Sequence, residues 1–190
     1  MIKKSIPPII ALLLLGVAVF FLPHVAAASG PHSEPEHQLF TPLIQNMHQP
    51  QQPLEWDPRL DERGAALVPA QVTSGQGYWR LVKAIWYNEI ESQGKHHIFI
   101  DMLDSSGQRQ VGVPILILNG GSFTITTEAK PGEPYAANFA MFARAPAYSA
   151  HPNSGAPADQ VTGMGLGDLE HPDWNIHTSY GLIWRWTIAP

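Results

Sequence analysis

The chain has 190 residues, 44% of them hydrophobic, which is room for one domain with a packed core and excludes wholesale disorder. Its 16 Gly and 18 Pro stand well above a usual combined share of about 12%, which disfavours a helical bundle and favours short strands joined by turns. A net charge of −5, deepening to −7 if Lys3 and Lys4 leave with a leader, gives no electrostatic reason to seek nucleic acid or anionic lipid, and the lack of cysteine excludes disulfides, thiolate metal sites and a cysteine nucleophile.

Residues 1–28 read as an export signal. Lys3 and Lys4 form a basic start, Ile6–Leu22 is an apolar stretch, and Ala26-Ala27-Ala28 offers the small residues that a signal peptidase prefers. A retained anchor is the alternative, although Pro7-Pro8 shortens the usable helix. Residues 29–55 are interrupted by Pro31, Pro35, Pro42, Pro50 and Pro53 and read as a semi-extended spacer.

An ordered domain is expected over 56–190. Asp57, Pro58 and Gly64 have the chemistry of a cap, a first helical position and a left-handed stop, predicting a short helix at Pro58–Arg63 that docks through Trp56 and Leu60. Tyr78–Tyr87 reads as a long strand, with Trp79, Leu81, Ile85 and Tyr87 on one face and Tyr78, Val82, Ala84 and Trp86 on the other. Further strands are expected at His96–Leu103, Val111–Leu118, Ser122–Thr127, Ala137–Ala143, Tyr148–Ser149 and Gln160–Gly163, with a terminal one at Ser179–Ile188. Asp104-Ser105-Ser106-Gly107 and Asn119-Gly120-Gly121 are turns by composition. The spacing of these strands and turns predicts an all-β fold, a single antiparallel β-sandwich, with a closed barrel as the rival.

His97–Gly107 followed by Val111-Gly112-Val113-Pro114-Ile115 resembles a hairpin of immunoglobulin-like, carboxypeptidase-regulatory-like and prealbumin-like sandwich modules of exported bacterial proteins. In that pattern Asp and Gly make the turn, and Gly-x-Pro starts an edge strand without a donor. The resemblance implies a binding or supporting module and brings no catalytic residue with it.

Candidate sites are few. Neighbouring residues of a strand point to opposite faces, so His96 and His97 cannot chelate one ion together from a regular strand. A metal would need one of them with distant partners, His177, Asp101, Glu89, Glu91 or the His171-x-Asp173 pair, and structural histidines are the simpler reading. No HExxH, G-x-S-x-G or Lys-bearing phosphate loop is present, Gly163–Gly167 lacking the last. Six Trp, five Tyr and seven Phe are many for one small domain. Even-numbered aromatics of the terminal strand, Tyr180, Trp184 and Trp186, suit a core. Trp86, Tyr87 and Trp174, with Arg80 beside them, are the candidates for an exposed ligand-binding platform. The resulting expectation is an exported, non-enzymatic accessory module that needs no cofactor and binds cell-wall or extracellular glycan through surface aromatics, touching membrane only if its leader is retained. The alternatives are a structural subunit docking on a larger exported or membrane complex, and a metal-dependent enzyme using the strand histidines.

Overall fold

The computed structural model describes residues 51–190, which lie in one compact unit; the expected leader and the spacer up to residue 50 lie outside the described residues. In chain order the elements are β1 (Glu55–Trp56), α1 (Arg59–Glu62), β2 (Ala66–Val68), β3 (Gly77–Tyr87), α2 (Glu89–Ser92) and β4 (His97–Leu103). They continue as β5 (Pro114–Leu118), β6 (Ser122–Thr126), β7 (Ala137–Ala140), β8 (Tyr148–Pro152), β9 (Gln160–Met164) and β10 (Ser179–Ile188).

Two five-stranded sheets result, in the orders β1-β3-β10-β4-β7 and β2-β9-β8-β5-β6. Strand β10 runs antiparallel to β3 and parallel to β4, β1 runs parallel to β3, and the remaining ladders are antiparallel. The sheets enclose a single apolar core. Leu81, Ala84, Ile98, Ile100, Leu182 and Trp184 enter it from the first sheet, and Ile115, Ile117, Ala150 and Val161 from the second. An all-β, sandwich-like architecture is therefore what the alternating pattern builds.

The leading segment behaves as its capping chemistry requires. Asp57 Oδ1 accepts the Arg59 backbone N–H at 3.0 Å, Gly64 takes a left-handed φ of 73°, and Leu60 is fully buried. Order reaches further upstream than Trp56. Leu54 packs on the core, Glu55 already pairs with Lys83, and the Gln52 carbonyl accepts from Arg80 Nη1 at 2.6 Å.

Strand β3 corrects the expected alternation. Its pairing with β10 shifts register opposite Ile183/Trp184, where Lys83 and Leu81 are matched and Val82 is skipped. This bulge inserts one residue and reverses the faces. Below it Trp79 and Leu81 point into the core; above it Ala84 and Trp86 do, and Lys83, Ile85 and Tyr87 turn outward. Strand β10 keeps one parity, so Tyr180, Leu182 and Trp184 are all buried, with Trp186 packed at the core's edge against Trp79.

A second correction concerns the hairpin expected at His97–Ile115. The Asp104–Gly107 turn forms, with the Gly107 N–H donating to the Asp104 carbonyl at 3.0 Å. After one bridge, Leu103 to Arg109, the chain crosses to the other sheet, so β4 and β5 do not pair. Each strand has one apolar face, Ile98, Ile100 and Met102 on β4 and Ile115 and Ile117 on β5. Stacking them across the core buries both faces, which pairing side by side would not. Strand β5 is interior, and Pro114 is tolerated because it is the strand's first residue. Strand β2 was not expected; its three residues lie between Gly64 and Pro69 and offer little alternation to read.

Candidate functional site

The outer face of the β1-β3-β10-β4-β7 sheet carries a recess of about 340 Å³, open to solvent and walled by aromatic rings. Tyr87 at the end of β3 and Phe99 of β4 contribute from the sheet, together with Asn138 of β7 and Ser179 of β10. Glu91 and Ser92 of α2, with Lys95 just beyond it, form one side. Glu133, Pro134 and Tyr135, from the connection between β6 and β7, form another.

Each wall has a local cause. Tyr87 faces outward because of the β3 bulge. Helix α2 is fixed by a capping box, Asn88 Oδ1 accepting from the Glu91 N–H while Glu91 Oε2 accepts from the Asn88 N–H, both at 2.9 Å. Glu91 is also bound by Arg59 at 3.0 Å, which offsets its charge. Gly181 lies beneath Tyr135, and a Cβ there would run into the tyrosine hydroxyl. That missing side chain lets Tyr135 settle onto the sheet and share a 2.8 Å hydrogen bond with the Tyr87 hydroxyl. Burial, reinforced by this bond, pushes the Tyr135 phenol well above its ordinary pKa.

The connection that bears Tyr135 is anchored by Arg109. Its Nε and Nη2 donate to the two carboxylate oxygens of Asp101 at 2.9 and 3.0 Å, and it reaches the Lys130 and Glu133 carbonyls at 3.2 and 3.0 Å. One guanidinium thus ties β4 to the recess wall, a fork-to-carboxylate geometry that lysine cannot reproduce.

A file of rings runs away from the recess. Phe99 stacks on Tyr135 at 5.5 Å and on His97 at 5.4 Å; His97 lies 5.1 Å from His96, and His96 4.5 Å from His177. Burial first, then the neighbouring His96 and Lys95, lowers the His97 pKa, so the ring is neutral near pH 7. The Lys95 ammonium sits 5.9 Å from the centre of the Phe99 ring.

The sequence-derived candidates separate. Tyr87 is in the recess. Trp86 is not: at 2% exposure it belongs to the core, its ring flanked by the Arg59 and Arg63 guanidiniums at 5.2 and 5.7 Å, and it offers no face to a ligand. Arg80 is drawn to Gln52 and does not line the recess. Trp174 is 60% exposed and stacks on His171 at 4.2 Å in the connection before β10, outside the recess. Among the metal candidates, His96 and His177 meet and His97 adjoins them, whereas Asp101 is committed to Arg109. Among the described residues no group of three or more His, Asp or Glu side chains is arranged to hold a metal ion. Gly163, Gly165 and Gly167 serve packing, since a Cβ at each would meet backbone of Gly64, Ala145 and Pro172 respectively.

Phe99, Tyr135, Lys95 and Asn138 were not anticipated. The outward parity of Phe99 with His97 and the Asn88-x-x-Glu91 box were readable signals; Tyr135 sits in an irregular connection with none.

The described residues thus form a two-sheet, mostly β fold with an aromatic-walled recess on one outer face. No family model, curated protein or solved structure matches the chain.

Proposed function

We propose that the chain is an exported, non-enzymatic accessory module, of the immunoglobulin-like or prealbumin-like sandwich type, that binds cell-wall or extracellular glycan in this recess. One observation carries the reading: Tyr87, Phe99 and Tyr135 wall a cavity whose polar side chains Lys95, Glu133 and Asn138 make no hydrogen bond or ion pair among the described residues. Aromatic surface left open to the recess beside uncommitted hydrogen-bonding groups suits a sugar, whose C–H groups and hydroxyl rim demand both. A volume of about 340 Å³ falls at the small end of ligand sites, which span roughly 300–1,000 Å³. Trp174 is an accessory contact for a longer chain. Export rests on Lys3, Lys4, Ile6–Leu22 and Ala26–Ala28, and the Pro-rich residues 29–50 act as the spacer.

The test is retention on insoluble polysaccharides and cell walls. Wild-type protein is retained, Phe99→Ala is not, and Trp174→Ala is weakened. Absence of wild-type retention, or full retention of Phe99→Ala, overturns the assignment. The second reading, a subunit docking on a larger exported or membrane complex, is favoured by Phe142, 78% exposed beside His96, and by Trp174. It predicts co-migration with a large complex without glycan retention. A metal-dependent enzyme draws less support, because two of its candidate carboxylates, Asp101 and Glu91, are held by Arg109 and Arg59.

A further inference from the structure

We infer that the recess selects neutral N-acetylated hexosamine units over plain hexoses, with Asn138 as the residue that reads the acetamido group; this rests on the glycan reading above. Asn138 pairs with Phe99 in the β4–β7 ladder. Its neighbour Ala137 is buried in the core, so the Asn138 side chain points to the opposite, recess side, where it is exposed. Its amide has no hydrogen-bond partner among the described residues. A primary amide offers both a donor and an acceptor, and an acetamido group answers both from one rigid planar substituent. Hydroxyls answer both only as a neighbouring pair in register, and each competes with water for the same bonds.

The surroundings agree. Phe99 and Pro134 provide apolar wall for the acetyl methyl group. The formal charges also favour a neutral ligand. Glu91 is already paired with Arg59, which leaves one ammonium, Lys95, and one carboxylate, Glu133, without an ion-pair partner among the described residues. A uronic acid or a free amino sugar would pair with one of these while facing a like charge in the same small cavity.

The experiment is calorimetric titration of the full chain with three hexasaccharides: β1,4-linked N-acetylglucosamine, its deacetylated form, and cellohexaose. The acetylated oligomer binds about tenfold more tightly than cellohexaose, a gap the size of one good hydrogen-bonded pair. Asn138→Ala weakens both oligomers, the acetylated one more, and brings the ratio to about one. Asn138→Asp, which keeps the shape and loses the donor, does the same, and melting curves show both variants folded. Equal wild-type affinity for the acetylated oligomer and cellohexaose overturns the acetamido assignment and leaves the glycan reading standing. Tighter binding of the deacetylated oligomer also overturns it and transfers recognition to Glu133. Failure of all three oligomers to bind, together with no retention on cell walls, overturns both.

Discussion

Arg109 holds the recess wall in place, and its removal separates two consequences that stability measurements alone would merge. The Asp101 side chain is 8% exposed and that of Arg109 27%. Truncating Arg109 to Ala strands a buried carboxylate, whose remaining bond is the 3.1 Å one from the Met102 N–H, and frees the Lys130 and Glu133 carbonyls to water. Loss of one partner of a well-buried pair costs about 3–5 kcal/mol; with Arg109 a quarter exposed, the expectation is about 2–3 kcal/mol. Truncating Asp101 instead leaves a guanidinium that rehydrates in place, at a cost of about 1–2 kcal/mol. Urea denaturation of Arg109→Ala, Asp101→Ala and the double variant supplies the comparison, and the cycle gives the coupling directly. Glycan retention falls in Arg109→Ala, which releases the Glu133–Tyr135 wall, and falls less in Asp101→Ala, which leaves the guanidinium on the Lys130 and Glu133 carbonyls; Arg109→Lys recovers part of the stability without recovering retention. A cost below about 1 kcal/mol for Arg109→Ala, or a larger cost for Asp101→Ala, refutes the reasoning.

Other perturbations probe the scaffold and the floor of the recess. Asp159 is buried and accepts the Ala70 and Leu81 N–H groups, both at 2.8 Å; Asp159→Ala orphans two backbone donors and lowers stability by about 2–4 kcal/mol in urea melts. Gly181→Ala displaces the Tyr135 hydroxyl, so retention on cell walls drops more than the melting temperature does; the opposite order would show that Tyr135 is only structural. Trp86→Ala costs about 3–5 kcal/mol, whereas Trp174→Ala stays within about 0.5 kcal/mol, the gap expected between a core ring and an exposed one. His97 and His151 are buried enough that both pKa values lie below the ordinary histidine value. The unfolded chain therefore binds more protons than the folded one below about pH 6.5, so the contribution of these two rings is fully present above that pH and is lost as pH falls below it through their lowered folded values. Melting temperatures measured from about pH 7 down to about pH 5.5 should decline, and less so in a His97→Gln/His151→Gln variant; a rise on acidification would refute the assignment.

The architecture was legible where alternation is strict and turns are chemically marked. Strand β10 keeps one parity through Tyr180, Leu182 and Trp184, and its sequence bounds, Ser179 and Ile188, are those of the strand. The Asn119-Gly120-Gly121 turn closes the β5–β6 hairpin, with Gly120 at a φ of 61°. Sheet membership was not legible, because it depends on which apolar faces meet across the core. The chain from Asp104 to Pro114 contains good turn residues whether it folds back on β4 or crosses over. Strand β1, two residues long, takes its place from pairing with Lys83 and Ala84, a partner choice no local pattern specifies.

The site was legible only in part, and the reason lies in one residue of β3. A strand with aromatics on both faces, Tyr78, Trp79, Trp86 and Tyr87, gives no sign of where its alternation reverses, so parity cannot say which of Trp86 and Tyr87 is wall and which is core. The bulge at Val82 decides it, and the same reversal brings the Trp86 ring under Arg59 and Arg63 while sending Tyr87 out to meet Tyr135. The recess therefore has two parts of different stiffness. Its sheet side, Tyr87, Phe99, Asn138 and Ser179, is carried by paired strands over a close-packed core. Its wall, Glu133–Tyr135, has no ladder of its own and is held by the Arg109 fork and the tyrosine pair. Substitutions on the sheet side should thus alter which ligand is accepted at little change in the wall's mobility. Substitutions at Arg109 should weaken every ligand alike, because they raise the ordering cost that any occupant must meet.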